Sequence, residues 1–162
     1  MTISVGDRLP AATLLRMGAG GVESVDLAAL LAGRKVVIFG LPGAFTGTCS
    51  TMHVPGFIRA MPALRAKGVD AVLCIAVNDP YVLKAWEEAT GAAGAGILTL
   101  GDPAAEFTRA IGMDFTYPPK GFHNRSRRYA LLAVDGVVTV LNPEPPGGEC
   151  EVSSGARMVD SL

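Results

Sequence analysis

The chain has 162 residues, of which 49% are hydrophobic and 18% charged, which suits one folded domain and excludes a disordered chain. Lys plus Arg number 14 and Asp plus Glu 15, for a net charge of −1. That balance argues against nucleic-acid binding, which needs a basic surface, and no apolar run is long enough to span a membrane.

The opening Met1-Thr2-Ile3-Ser4-Val5-Gly6-Asp7 has no basic or apolar signal region, so a cytoplasmic location is expected. The first clear element is Lys35-Val36-Val37-Ile38-Phe39-Gly40, a β-branched apolar run that reads as a buried strand. A Pro/Gly loop follows, and Cys49 stands where a helix should begin, with Thr46 or Thr48 as its N-cap. Pro55 should kink or restart that helix. Residues 70–77 read as a second buried strand. Asn78-Asp79-Pro80 then opens a helix to about Ala89, with Val82, Ala85, Trp86 and Ala89 as its buried stripe and Lys84, Glu87 and Glu88 as its solvated face. Ala92-Ala93-Gly94-Ala95-Gly96 is a short loop, and 97–100 a third strand. Asp102-Pro103 repeats the cap-plus-proline signal for a helix burying Phe107, Ala110 and Ile111. Residues 128–134 and 137–141 form a hairpin across Asp135-Gly136, because both turn positions need positive φ. A capped helix over 153–162 closes the chain. Repeated βαβ units followed by a hairpin predict an α/β three-layer sandwich, a mixed β-sheet flanked by helices.

Three cysteines are too few for a disulfide framework, so each is a core filler, a metal ligand or a reactive thiol. A thiol at a helix start is stabilised as thiolate by free backbone N–H groups, and α/β sheets place ligands at strand carboxyl ends. Cys49 therefore reads either as a nucleophile or as a filler beneath a loop. His53, four residues on, would share its face in a continuous helix, but no Cys-x-x-Cys or His-x-x-x-His pattern accompanies it, so no metal is expected.

The segment Pro42-Gly43-Ala44-Phe45-Thr46-x-x-Cys49-Ser50-x-x-His53-x-Pro55-Gly56-Phe57 resembles the active-site segment of type II (atypical) peroxiredoxins, thiol peroxidases on a thioredoxin-like fold. Ile75-Ala76-Val77-Asn78-Asp79-Pro80, Arg125-Ser126-Arg127-Arg128-Tyr129 and Val152-Ser153-Ser154 are similar to that family in the same order, so 1–162 is expected to be a single thioredoxin-like peroxiredoxin domain. The resemblance implies that Cys49 is the peroxidatic cysteine, that Thr46 bonds the peroxide, that Pro42 shields the pocket and that Arg128 holds the thiolate. It implies Gly43, Phe45, Thr48 and His53 as site-lining residues. Each has a plainer reading: Pro42 ending the strand, Thr46 capping a helix, Arg128 on a solvated strand end. Gly47 stands where that family usually has proline, which loosens the turn before Cys49.

The implied substrates are hydrogen peroxide and alkyl hydroperoxides, and no cofactor is implied. The oxidised Cys49 would be reset by glutathione/glutaredoxin or thioredoxin, or by a second cysteine. By resemblance Cys74 is a candidate resolving residue, although its strand is buried and the active-site helix would have to unfold locally. Cys150, in the exposed-looking Pro145-Pro146-Gly147-Gly148-Glu149-Cys150, is the other, slowed by flanking Glu149 and Glu151. A homodimer is the family expectation, with Val77, Tyr81, Phe115, Tyr117 and Phe122 offering apolar surface at an edge or pocket mouth. The alternative is a non-catalytic thioredoxin-like redox-responsive binding module, which would not need Pro42, Thr46, Cys49 and Arg128 together.

Overall fold

The computed structural model describes residues 2–145 and 150–162, with the side chains of all of these except Cys49 and Thr51. Among the described residues nine strands form: β1 Thr13–Gly18, β2 Gly21–Asp26, β3 Lys35–Gly40, β4 Ala71–Ala76, β5 Ile97–Gly101, β6 Asp114–Tyr117, β7 Phe122–Ser126, β8 Tyr129–Val134 and β9 Val137–Pro143. Five α-helices join them: α1 Leu27–Leu31, α2 Val54–Ala66, α3 Pro80–Thr90, α4 Glu106–Ala110 and α5 Gly155–Asp160. Seven strands make one mixed sheet in the order β2-β1-β5-β4-β3-β8-β9, and β6-β7 is a separate hairpin.

The strand alternation divides two cores. Val37 and Phe39 of β3, with Val72 and Cys74 of β4, pack under α2, α3 and α5 through Phe57, Leu64, Trp86 and Met158. Val36, Ile38, Leu73 and Ile75 face the other way, toward α1 and α4 through Leu27, Leu31 and Phe107. The three-layer expectation holds. β3 is parallel to β4 and antiparallel to β8, and the Asp135-Gly136 turn has the two positive φ values predicted for it, 49° and 77°.

The structure departs from the sequence expectations at four points. In α3 the buried residues are Pro80, Leu83 and Trp86, while Tyr81, Val82, Ala85 and Ala89 are exposed. The predicted stripe shared only Trp86 with this one; the large Leu83, not the small alanines, sets which face turns inward. Helix α4 starts one turn later than Asp102-Pro103, after Ala105, and Ala110 is exposed while Thr108 is buried. Asp102 still serves the helix start, accepting from Phe107 N, Thr108 N and Thr108 Oγ1. The β1–β2 hairpin had not been anticipated. Its strands are half-buried or exposed at every position but Leu14, and no continuous apolar run marks them. Cys150, fourth, is buried rather than accessible.

Candidate functional site

The register Gly40↔Tyr129 brings the carboxyl end of β3 and the amino end of β8 to one edge of the sheet. Gly40 is required there, because a Cβ would collide with the Tyr129 ring. The parallel strand β4 ends at the same edge, which places Asn78 beside the loop leaving β3. Asn78 Oδ1 accepts from Ala44 N at 2.9 Å, Arg125 Nη1 donates to the Pro42 carbonyl at 3.0 Å, and both side chains come close to Gly43. Gly43 has φ 153°, and a side chain on it would run into Arg125. Phe45 is 59% exposed and held at φ 61°, a conformation that costs a bulky residue strain. The Thr46 hydroxyl donates to Gly43 O at 2.7 Å and keeps acceptor lone pairs.

A helical segment begins at Gly47, as the cap expectation had it, but Cys49–His53 is a π-helical turn. Pro55 supplies the reason. It has no N–H, and its ring would crowd the carbonyl four residues back, so the backbone widens before α2 restarts at Val54 with proline in its first turn. The same-face spacing expected of Cys49 and His53 in an α-helix therefore does not apply. The turn is tied to α3 by Trp86 Nε1, which donates to Ser50 Oγ at 2.9 Å.

His53 is fully buried between Phe39 and Phe57, with ring centroids 4.9 and 5.6 Å away. Its Nε2 lies 2.9 Å from the Ser153 carbonyl, which can only accept, so Nε2 carries the proton. Nδ1 is then the acceptor for Arg128 Nη1 at 3.1 Å. Burial first, and the Arg128 charge second, push the His53 pKa from 6.5 down to about 3, so the ring is neutral. Both nitrogens being engaged, His53 offers no lone pair to a metal. Arg128 is 8% exposed, which removes the solvated-strand-end reading. Its carbonyl accepts from Glu144 N.

Glu144 is buried, and its Oε2 accepts from Glu151 N, Ser153 N and Ser153 Oγ at 2.7–2.8 Å. Burial alone would raise its pKa; the bonds from Ser153, Glu151 and Val152 outweigh it and hold the carboxyl below its usual range. This bracket holds residues 151–153 against the body beside buried Cys150. Cys150 lines a cleft of about 370 Å³ with Met52, Arg59 and Val159. Pro146, Gly147, Gly148 and Glu149, and with them the expected slowing by Glu149, lie outside the described residues.

Cys74 is 1% exposed on the α2 side of the sheet. Of the expected apolar collar, Val77 is buried, Phe115 and Phe122 are half-buried, and Tyr81 and Tyr117 are exposed. The structure thus brings Pro42, Gly43, Phe45, Thr46, Thr48, His53 and Arg128 to the edge where the Cys49 backbone lies. Sequence reasoning had not singled out Asn78, Arg125, Glu144 and Ser153 as site residues. Their partners lie far along the chain, and no local pattern announces such bonds.

The described residues contain no helix long and apolar enough to cross a membrane. The family model described as Redoxin matches residues 4–159. Peroxiredoxin-2E-2, chloroplastic, of Oryza sativa subsp. japonica is 52% identical over 165 residues, 99% of this chain and 73% of that one. Peroxiredoxin-2B of Arabidopsis thaliana is 42% identical, covering 99% of this chain and 98% of its own. The crystal structure of reduced Prx3 in complex with H2O2 from Vibrio vulnificus superposes with TM-score 0.93 at 42% identity, covering 99% of each chain.

Proposed function

Because the chain belongs to the redoxin family, and within it to the type II peroxiredoxins, which are thiol-dependent peroxidases, we propose that Cys49 is its peroxidatic cysteine and that Thr46, Arg128 and Pro42 complete the catalytic site. Family membership does not favour a non-catalytic binding module. The observation that carries the residue assignment is the buried Arg128, fixed through neutral His53 at the strand edge where the Cys49 turn begins.

The Cys49 thiolate attacks the terminal oxygen of a hydroperoxide. An S–O bond forms, the O–O bond breaks with its electron pair going to the departing oxygen, and that oxygen takes a proton and leaves as water or an alcohol. The sulfur is oxidised by two electrons to a sulfenic acid. Arg128 stabilises the thiolate and the charge developing on the departing oxygen. Thr46 orients the peroxide by hydrogen bonding, and Pro42 keeps water from the sulfur. Gly43, Phe45, Thr48 and His53 line or support this pocket.

A thiol then attacks the sulfenic sulfur and expels water, giving a disulfide that a second thiol reduces. We assign the first attack to an external thiol, from glutathione/glutaredoxin or thioredoxin. Cys74 is the preferred internal partner, on the helix side of the sheet, and its burial requires the π turn to open first. Cys150 is the weaker one. Residues 1–162 act as a single domain, in the cytoplasm, and pair as a homodimer through the edge bearing exposed Phe45, Tyr81 and Tyr117.

The test is stopped-flow mixing of reduced protein with one equivalent of hydrogen peroxide, following Trp86, the only tryptophan. A fast peroxide-dependent phase that is lost in Cys49→Ser and severely slowed in Arg128→Ala is expected. A Cys49→Ser protein that still showed the phase would overturn the assignment. Mass spectrometry of the product separates sulfenic acid, Cys49–Cys74 and Cys49–Cys150.

A further inference from the structure

The loop between β3 and the Cys49 turn is held by side chains from elsewhere in the fold. Asn78 takes the Ala44 N–H, Arg125 gives a hydrogen bond to the Pro42 carbonyl, and both reach the face of the loop at Gly43. Arg125 does not hang free in solvent. It is half-buried, its guanidinium lies 5.6 Å from the centroid of the Phe122 ring, and Phe122 meets Phe115 edge-on at 5.9 Å. Phe115 is also the cross-strand partner of Arg125, so the β6–β7 hairpin is built around this side chain. Arg127 N donates to Met113 O at 2.6 Å and continues the hairpin's ladder by one rung, and Met113 is buried in the core. Fit between arginine and loop is close, since any side chain at Gly43 would collide with Arg125.

What the grip resists is also visible. Phe45 sits at a strained positive φ, and Gly47, at the loop's exit, belongs to the residue type with the widest backbone freedom. A chain with strain inside it and a glycine at its end needs an external brace to keep one geometry.

We propose that Arg125 is a positioning residue of the peroxidase reaction: reaching from the β6–β7 hairpin, it fixes the Pro42 carbonyl and, with Asn78, holds residues 42–46 in the geometry that presents Pro42 and Thr46 to the peroxide. It touches no reacting atom. The inference rests on the reading of Cys49, Pro42 and Thr46 as the site. It also makes the brace and Gly47 interdependent. Gly47 lies in the first helical turn, its φ is not in the left-handed region, and a Cβ there meets nothing within 4 Å. Proline is accepted at such a position and would lock φ.

The experiment measures the second-order rate with hydrogen peroxide by Trp86 fluorescence in the full chain, for Arg125→Met, Arg125→Lys, Asn78→Ala, and Arg125→Met combined with Gly47→Pro. Hydrogen–deuterium exchange of the peptide containing Ala44 and the thermal midpoint are recorded for each. Arg125→Met is expected to slow the reaction by roughly 10- to 100-fold, the effect of a displacement of about 1 Å at a catalytic geometry. Exchange at Ala44 should rise, and Gly47→Pro should return at least about threefold of the lost rate by restricting φ. Arg125→Lys keeps the charge without the planar group over Phe122 and should recover less than half of the loss. Asn78→Ala removes the other half of the brace and should give the same pattern, which carries the test if Arg125→Met does not fold. A rate within twofold of wild type in Arg125→Met overturns the proposal. So does full recovery in Arg125→Lys with no gain from Gly47→Pro, which would assign the effect to charge. A fast phase surviving in Cys49→Ser would instead remove the underlying site reading.

Discussion

Replacing His53 with glutamine tests the buried network by its pH dependence. His53 is neutral in the folded protein because burial, and then the Arg128 charge, push its pKa from 6.5 to about 3. The unfolded chain therefore binds the extra proton throughout the interval between those values, and the folded one does not. Stability must rise with pH across that window and be lost as pH falls from 6.5 toward 3. Between pH 7 and pH 4.5 this one group removes about 2.5 kcal/mol of unfolding free energy. Glutamine can donate to the Ser153 carbonyl and accept from Arg128, as neutral His53 does, but it does not titrate. Urea unfolding of wild type and His53→Gln at half-unit intervals from pH 4.5 to 7.5 gives the difference directly. Carboxylates, including Glu144 across Ser153, titrate in both proteins and cancel to first order. After allowing for a constant offset, the two curves should coincide at neutral pH and separate as pH falls, with wild type about 2.5 kcal/mol below His53→Gln at pH 4.5. Parallel curves would refute the neutral, doubly bonded imidazole.

Ser50→Ala strips the buried Trp86 indole of its acceptor, costing about 1–3 kcal/mol, and should lower the thermal midpoint by several degrees while shifting the Trp86 emission maximum. Gly40→Ala forces a methyl against the Tyr129 ring between paired strands and should destabilise by about 1–3 kcal/mol in denaturant titration. Glu144→Gln weakens three bonds to the 151–153 segment and should cost about 2 kcal/mol at pH 7. Because the folded carboxyl titrates below its usual range, that cost should shrink as pH falls through it, read from the same unfolding series.

The elements that sequence made legible are those whose signal is local. The apolar runs that became β3, β4 and β5, the Asp135-Gly136 turn and the Asp79-Pro80 cap all carry their own physical reason within a few residues. The resemblance likewise rests on short contiguous segments, Pro42 to Phe57 first, then 75–80, 125–129 and 152–154 in the same order. What escaped reading is non-local or depends on phase. Leu83 rather than Val82 turns inward because of what the sheet offers it, not because of spacing within the helix. The π turn needed Pro55 weighed against the helix before it, not only after it. The burial of Cys150 is equally non-local: Glu144 ties Glu151 and Ser153 back to the body, and composition around Cys150 announces no such bond.

Arg125, Arg127 and Arg128 illustrate the same difference and bear on the chemistry. In sequence they form one basic cluster, of the kind a solvated strand end or an anion-binding patch would carry. In the fold they go to three places: Arg125 to the Pro42 carbonyl, Arg127 to the Glu144 carbonyl at 3.3 Å, and Arg128 to the His53 imidazole. All three of these acceptors are uncharged. These bonds therefore orient the guanidinium groups without neutralising them. Pairing Arg128 with a carboxylate would have held it as firmly but cancelled its field. A neutral imidazole holds it and adds no opposing charge, so that bond leaves its positive potential undiminished. Such a potential lowers a thiol's pKa and stabilises charge leaving on oxygen. Under the proposed reading, keeping His53 uncharged is thus as much a condition for catalysis as keeping Arg128 charged.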